Sequence, residues 1–252
     1  MVYSIMKGMR REVVFGMIGV VFLAIVGATI WKQNQPEPIQ TENVYDYAAM
    51  KAKAEGLEFD KNKVGEIWKG EVWDNVKGNP EAPIVIYEYA DYQCVHCAEI
   101  NEYIDKMVAD YDGKVAVVFR TYVLPYSNNG MMAAAAANAA AKQGYWAEMN
   151  KILFAEQNGW YNLKAEKFRE KLGEYFMMAS GRNGNREKFY EDMESEEVLE
   201  KMAYDMGAGM KIGLEGTPWF IVNGEWLENT GVSMSRYVVQ MREKINEILK
   251  GE

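Results

Sequence analysis

The apolar run Ile84-Val85-Ile86-Tyr87-Glu88-Tyr89-Ala90 leads directly into Asp91-Tyr92-Gln93-Cys94-Val95-His96-Cys97, and beyond it Ile100, Tyr103, Ile104, Met107 and Val108 recur at helical spacing. The first run is β-branched and aromatic and is bounded by the turn formers of residues 77–83, which predicts a buried strand. The two cysteines therefore sit where a strand ends and a helix begins. They are the only cysteines of the chain, and His96 between them is its only histidine. At a helix start the first thiol faces unsatisfied backbone N–H groups and the positive end of the macrodipole, which favour its thiolate. Cys94 is the expected nucleophile, and Cys97, one turn inward, the less exposed partner that completes an exchange. His96 either lowers the pKa of Cys94 by a hydrogen bond or charge, or is an ordinary surface histidine. A zinc site is disfavoured, because one cysteine pair and one histidine fall short of four ligands.

Glu88 lies six positions before Cys94, on the predicted buried strand. Burial would raise its pKa and suit it to pass a proton to or from Cys97. Strand alternation allows the other outcome, a Glu88 that points to solvent. Asp91, just before the helix, reads as a cap.

Val115 to Leu124 is a second strand, ended by Pro125, so the order strand, helix, strand implies parallel neighbours. A long helical block follows: the alanine-rich 131–143, then Tyr145 to Leu153, Leu163 to Ala179, a break at Gly181 to Asn185, and Ser195 to Met210. Its apolar stripes read as core packing. After Gly216-Thr217-Pro218, Trp219 to Val222 and Glu225 to Leu227 flank Asn223-Gly224, a hairpin signal. Ser233 or Ser235 then caps a last helix in which Val238, Met241, Ile245 and Ile248 share a face. Upstream of the first cysteine motif, a short helix over 41–55 and a short strand over Ile67 to Val72 are the further expectations.

At the N-terminus, Val13 to Ile30 carries no charge and is long enough to cross a hydrocarbon core of roughly 30 Å. Lys7, Arg10 and Arg11 precede it, which keeps residues 1–12 cytoplasmic and sends everything after the span, 13–31, to the outside. A cleaved signal peptide ending near Val26-Gly27-Ala28 is the rival reading. The proline-broken stretch after Gln33 opens a tether and extension over 32–75. Either membrane reading places the remainder where disulfides persist, yet two cysteines make no stabilising framework. The pair is better read as reactive. With a formal charge of -9 and no basic patch interleaved with aromatics, nucleic acid is an unsuitable partner.

Taken together, these residues resemble the DsbA-like thiol:disulfide oxidoreductases of the thioredoxin superfamily. The resemblance rests on Glu88, on the segment from Asp91 to Cys97, on a helical insertion between the second and third strands, and on Gly216-Thr217-Pro218 followed by an apolar strand and Asn223-Gly224. It implies an α/β thioredoxin fold over 76–252, with the helices of about 130–205 as a lid; the N-terminal transmembrane helix read from the uncharged run precedes it. It also implies a cis Pro218 facing the cysteines, with Thr217 offering its backbone to an extended substrate peptide. Tyr92, Tyr126 and Trp219 would add apolar contact area, or serve as core. The implied activity is insertion of disulfides into reduced exported proteins, with no cofactor or bound metal, and with reoxidation by a quinone-linked membrane partner. Val95 departs from the family's best-known oxidases, which have proline there, and the dipeptide between the cysteines tunes the potential. Reductase, isomerase, and a non-catalytic tethered chaperone or metal-binding module are the alternatives.

Overall fold

The computed structural model describes residues 45–58, 66, 73–227 and 233–251. The expected span over 13–31 and the expected strand over Ile67 to Val72 lie outside the described residues. Among the described residues no helix is long and apolar enough to cross a membrane.

A five-stranded sheet organises the fold. Its strands are β1 (Asn75–Gly78), β2 (Ile84–Ala90), β3 (Val115–Thr121), β4 (Trp219–Val222) and β5 (Glu225–Leu227), in spatial order β1-β3-β2-β4-β5. β2 and β3 run parallel in the register Ile84↔Val115 to Ala90↔Thr121, as the strand, helix, strand order requires. The other three pairings are antiparallel. The β4–β5 hairpin turns through Asn223 and Gly224, both at positive φ (46° and 84°), the conformation a two-residue turn of this kind demands. β1 is a departure from the sequence reading, which placed only turn formers at Lys77 and Gly78. Asn, Lys and Gly are poor strand formers, and the ladder with β3 (Asn75↔Phe119 to Gly78↔Ala116) holds them extended instead.

Alternation along β2 and β3 sorts side chains to two faces. Ile84, Ile86, Val115 and Val117 pack with Ile100, Ile104 and Met107 of α2 (Val95–Asp110) and with Tyr237, Val238, Met241 and Ile245 of α9 (Met234–Gly251). Tyr87, Tyr89 and Val118 face the other way, towards Tyr122, Ala208 and Leu214. Each face is therefore covered, one by helices α2 and α9, the other in part by α8 (Glu196–Lys211).

The helical insertion comprises α3 (Gly130–Ala141), α4 (Trp146–Ala155), the single turn α5 (Gln157–Trp160), α6 (Ala165–Ala179), α7 (Arg186–Met193) and α8. The sequence had merged or passed over α5 and α7. α3 is buried on almost every side, which its alanines permit by letting neighbouring helices approach closely. It opens with glycine for a steric reason: a Cβ at Gly130 would stand 2.8 Å from an Asp91 carboxylate oxygen. The compact unit also takes in part of the segment read as tether and extension. α1 (Tyr47–Gly56), capped by Asp46, buries Met50 and Ala54 in the main core.

On the face away from α2, a cluster of buried charges ties these parts together. Arg120 donates to Asp74 through Nε (3.1 Å) and Nη2 (2.8 Å). Lys201 stands 3.6 Å from Asp74 and pairs with Asp205, whose other oxygen accepts from Thr121 N at 3.0 Å. Arg120, Lys201 and Asp205 are essentially unexposed. Two cations and two carboxylates match in number, which is what makes such burial tolerable.

Candidate active site

Cys94 emerges from the end of β2 and is the N-cap residue of α2, with φ -75° and ψ 122°. β4 pairs with the end of β2 through Tyr89↔Trp219, so the loop just before β4 arrives beside Cys94. That loop carries the cis Thr217–Pro218 peptide, and Cys94 Sγ lies 3.5 Å from the Thr217 carbonyl oxygen. Residues more than a hundred positions apart thus form one site. Pro218 is buried and Thr217 half-buried.

The two thiols differ sharply. Cys94 is half-exposed and its pKa is lowered to about 6; Cys97 is fully buried and its pKa is raised well above the usual thiol value. The largest cause at Cys94 is the Cys97 thiol donating to its sulfur, which outweighs partial desolvation. The Thr217 hydroxyl and the backbone N–H groups of Cys97 and His96 lower it further. For Cys97, desolvation comes first and the bond to Cys94 second. Near neutral pH the proton of the pair is therefore held by Cys97, and Cys94 favours the thiolate.

His96 acts on the sulfur through its backbone. Its imidazole is 66% exposed and pairs with Glu99 at 3.6 Å, one turn along the helix. Val95 is likewise exposed.

Glu88 is fully buried, which settles the question left by strand alternation. It shares the α2 face of the sheet with Ile84 and Ile86, and neither carboxylate oxygen has a hydrogen-bond partner among the described residues. Desolvation raises its pKa to about 7, opposed by the charge of Lys77 and assisted by that of Asp105. Lys77 itself donates to Asn101 (2.7 Å) and Asp105 (2.6 Å). Cys97, Asn101 and Asp105 follow one another at four-residue intervals along α2, and the last of them is among the charges acting on Glu88.

Asp91 does not cap α2. Its carboxylate accepts from Gln93 N at 2.8 Å, Leu124 N at 2.9 Å and the Ser127 hydroxyl, so it pins the loop after β3 to the cysteine turn. Burial raises its pKa despite those bonds. Tyr92 is fully buried against Phe119 and Phe154, with its hydroxyl donating to Asn150 at 3.1 Å, and so belongs to the core rather than to a contact surface. Tyr126 is 74% exposed on the loop that Asp91 pins, and Cys94 is among the charges acting on it. Trp219 is half-buried and meets the exposed Trp226 edge to face at 5.5 Å.

Sequence reasoning missed a layer of amides behind the cysteine turn. Gln93 donates to Tyr161 O (3.0 Å) and accepts from Asn129 N (2.6 Å). Asn129 donates to the carbonyls of Trp160 and Leu163. Gln157 donates to the carbonyls of Tyr92 and Cys94. Only Gln93 lies near the motif in sequence; nothing in the chain marks Asn129 or Gln157. Among the described residues no three His, Cys, Asp or Glu side chains gather to hold a metal.

Comparison with known proteins places this arrangement. The family model described as Thioredoxin matches residues 71–238. BdbD from Bacillus subtilis superposes with a TM-score of 0.60 at 22% identity, covering 70% of this chain and 93% of that one. The alpha-DsbA1 of Wolbachia pipientis gives 0.58 at 22% identity, covering 77% and 100%. A thioredoxin-like oxidoreductase from Silicibacter pomeroyi gives 0.55 at 23%, covering 74% and 98%. At these identities the likeness is one of fold. Among curated sequences, the Na(+)/H(+) antiporter NhaA 3 of Salinispora tropica is 32% identical over 155 residues, which make up 60% of this chain but 22% of that protein. The chain thus spans less than a quarter of that relative, and the transport in its name is not carried over.

Proposed function

Because this chain belongs to the thioredoxin family and has the DsbA-like form of its fold, we propose that it is a membrane-anchored, extracytoplasmic thiol:disulfide oxidoreductase that introduces disulfides into exported proteins. The observation that carries this reading is the unequal cysteine pair. A partly exposed sulfur that is comfortable as a thiolate is both a good point of attack and a good leaving group. Stabilising that thiolate stabilises the reduced form, so the disulfide form is correspondingly oxidising.

In the reaction, a substrate thiolate attacks Cys94 Sγ of the Cys94–Cys97 disulfide. The S–S bond breaks, and Cys97 leaves as a thiolate and takes up a proton, for which the buried Glu88, its pKa raised to about 7, is the acid in this reading. A second substrate thiolate attacks the substrate sulfur of the mixed disulfide and expels Cys94 as its thiolate. The substrate loses two electrons and gains a disulfide. The enzyme ends as the dithiol and needs an oxidant, which the resemblance assigns to a quinone-linked membrane partner. An extended peptide lies along the Thr217–Pro218 loop, with Tyr126, Val95 and Trp219 available for apolar contact. The uncharged run at 13–31 supports the anchor and its orientation.

One observation favours a second reading, reductase or isomerase. The His96 side chain is 66% exposed and stands 3.6 Å from Glu99, and among the groups that lower the Cys94 pKa His96 acts through its backbone N–H rather than its ring. Cys94→Ser tests the shared claim: oxidation of a reduced, unfolded test protein should be abolished. Full activity in that variant would end the assignment.

A further inference from the structure

Both peptide groups flanking Cys94 are tied down, and one of the ties comes from the helical insertion. Cys94 N donates to Asp91 O at 3.0 Å, and Cys94 O accepts from Ala98 N at 3.1 Å in the first turn of α2. The same carbonyl accepts a second bond, from Gln157 Nε2 at 3.0 Å, and that nitrogen also donates to Tyr92 O at 2.7 Å. A carbonyl oxygen has two lone pairs, and here both are used. One side-chain amide thereby bridges the carbonyls of residues 92 and 94 and fixes the backbone between them.

That amide is itself immobile. Gln157 is 4% exposed and opens α5, whose last residue, Trp160, donates its indole N–H to Leu153 O at 2.8 Å and stacks on Phe168 at 4.8 Å. The clamp is also reciprocal: Gln93, between the two bridged carbonyls, reaches back to Tyr161 O. Residues 91–94 and 157–163 are interlocked by amides buried from water, where each bond is stronger and each orphaned group more costly than at the surface.

We propose that Gln157 is a positioning residue for the nucleophile, setting the backbone angles of Cys94 so that its sulfur is held against the N–H groups at the start of α2. The insertion is then part of the redox site as well as its cover. The inference rests on the reading of Cys94 and Cys97 as an exchanging pair and adds to it a residue outside the cysteine motif. The chemistry is local: if the bridge is lost, the turn at 92–94 gains freedom, the sulfur spends less time facing its N–H donors, and the thiolate loses their stabilisation.

The test compares full-length wild type with Gln157→Met, which keeps length and removes the donors, and Gln157→Leu, which keeps the branched shape and removes the donors without adding a charge. Phe189→Leu is the control, because it loosens the helical insertion at the Phe176–Phe189 stack, away from residues 91–94 and 157–163. Two quantities are read in each: the midpoint of the Cys94 thiolate absorbance and the equilibrium constant with glutathione. Both Gln157 variants should raise the midpoint and shift the equilibrium constant about tenfold towards the less oxidising side, or about 30 mV. Phe189→Leu should lower the denaturation midpoint and leave both redox quantities in place. If a Gln157 variant unfolds more readily but titrates and equilibrates as wild type, or if Phe189→Leu shifts them equally, the proposal is overturned. A wild type that does not exchange with glutathione at all would instead sink the oxidoreductase reading, and the thiolate midpoint would still decide the role of Gln157.

Discussion

Replacing Glu88 by Gln should stabilise the reduced protein, and by an amount that depends on pH. The carboxyl is fully buried with neither oxygen hydrogen-bonded among the described residues, and it titrates at about 7 when folded against 4.5 for the ordinary side chain. Between those values the folded chain holds a proton that the unfolded chain releases. This group's contribution is therefore intact below pH 4.5, is lost as pH rises, and levels off above about 7. At 1.36 kcal/mol per pH unit the ionised carboxylate costs about 3 kcal/mol. Glutamine has no such titration and nearly the same shape as the neutral acid, so the two proteins should be close in stability at pH 4. At pH 8.5 Glu88→Gln should be the more stable by about 3 kcal/mol. Urea unfolding of both proteins under reducing conditions at the two pH values gives the comparison. A stability difference that stays constant with pH, or a glutamine variant that is weaker at pH 8.5, would refute the account of Glu88 as a desolvated acid.

Other changes should move the site or its scaffold in stated directions. Cys97→Ala removes the donor that does most to stabilise the Cys94 thiolate, so the Cys94 absorbance midpoint should rise from about 6. Lys77→Met should raise the Glu88 midpoint above about 7 and Asp105→Asn should lower it, because their charges oppose one another there; carboxyl carbon NMR reads both. Asp74→Asn leaves Arg120 and Lys201 buried with one carboxylate fewer, and a loss of about 3–5 kcal/mol in denaturant unfolding is expected.

Much of the site was legible because its chemistry is written in local patterns. The cysteine pair at a strand-to-helix junction, the apolar run of β2, the Asn223-Gly224 turn and the Thr217-Pro218 pair each carry a signal within a few residues. What was not legible depends on tertiary contact. β1 is held extended by its partner strand against the preference of its own residues. Lys201 reads as a solvent-facing helix residue, and its burial is offset by the carboxylates of Asp205 and of Asp74, the second supplied by tertiary contact; its spacing of four from Asp205 was a hint within the sequence. Tyr92 sits in the motif yet packs inward, because the aromatic cluster of Phe119 and Phe154 lies behind it. The ring of His96 lies beside Glu99, one turn along the helix, a partner that the spacing of the cysteine motif does not single out. Gln157 and Asn129 are single amides in helical surroundings, given meaning only by the carbonyls they reach.

The central claim is that the Cys94–Cys97 disulfide is an oxidant, and its equilibrium potential against glutathione tests this most directly. The half-exposed thiolate of Cys94 beside the buried thiol of Cys97 predicts a value on the oxidising side, towards about -120 mV. A value near that of thioredoxin, about -270 mV, would contradict the oxidase assignment and make the protein a reductase.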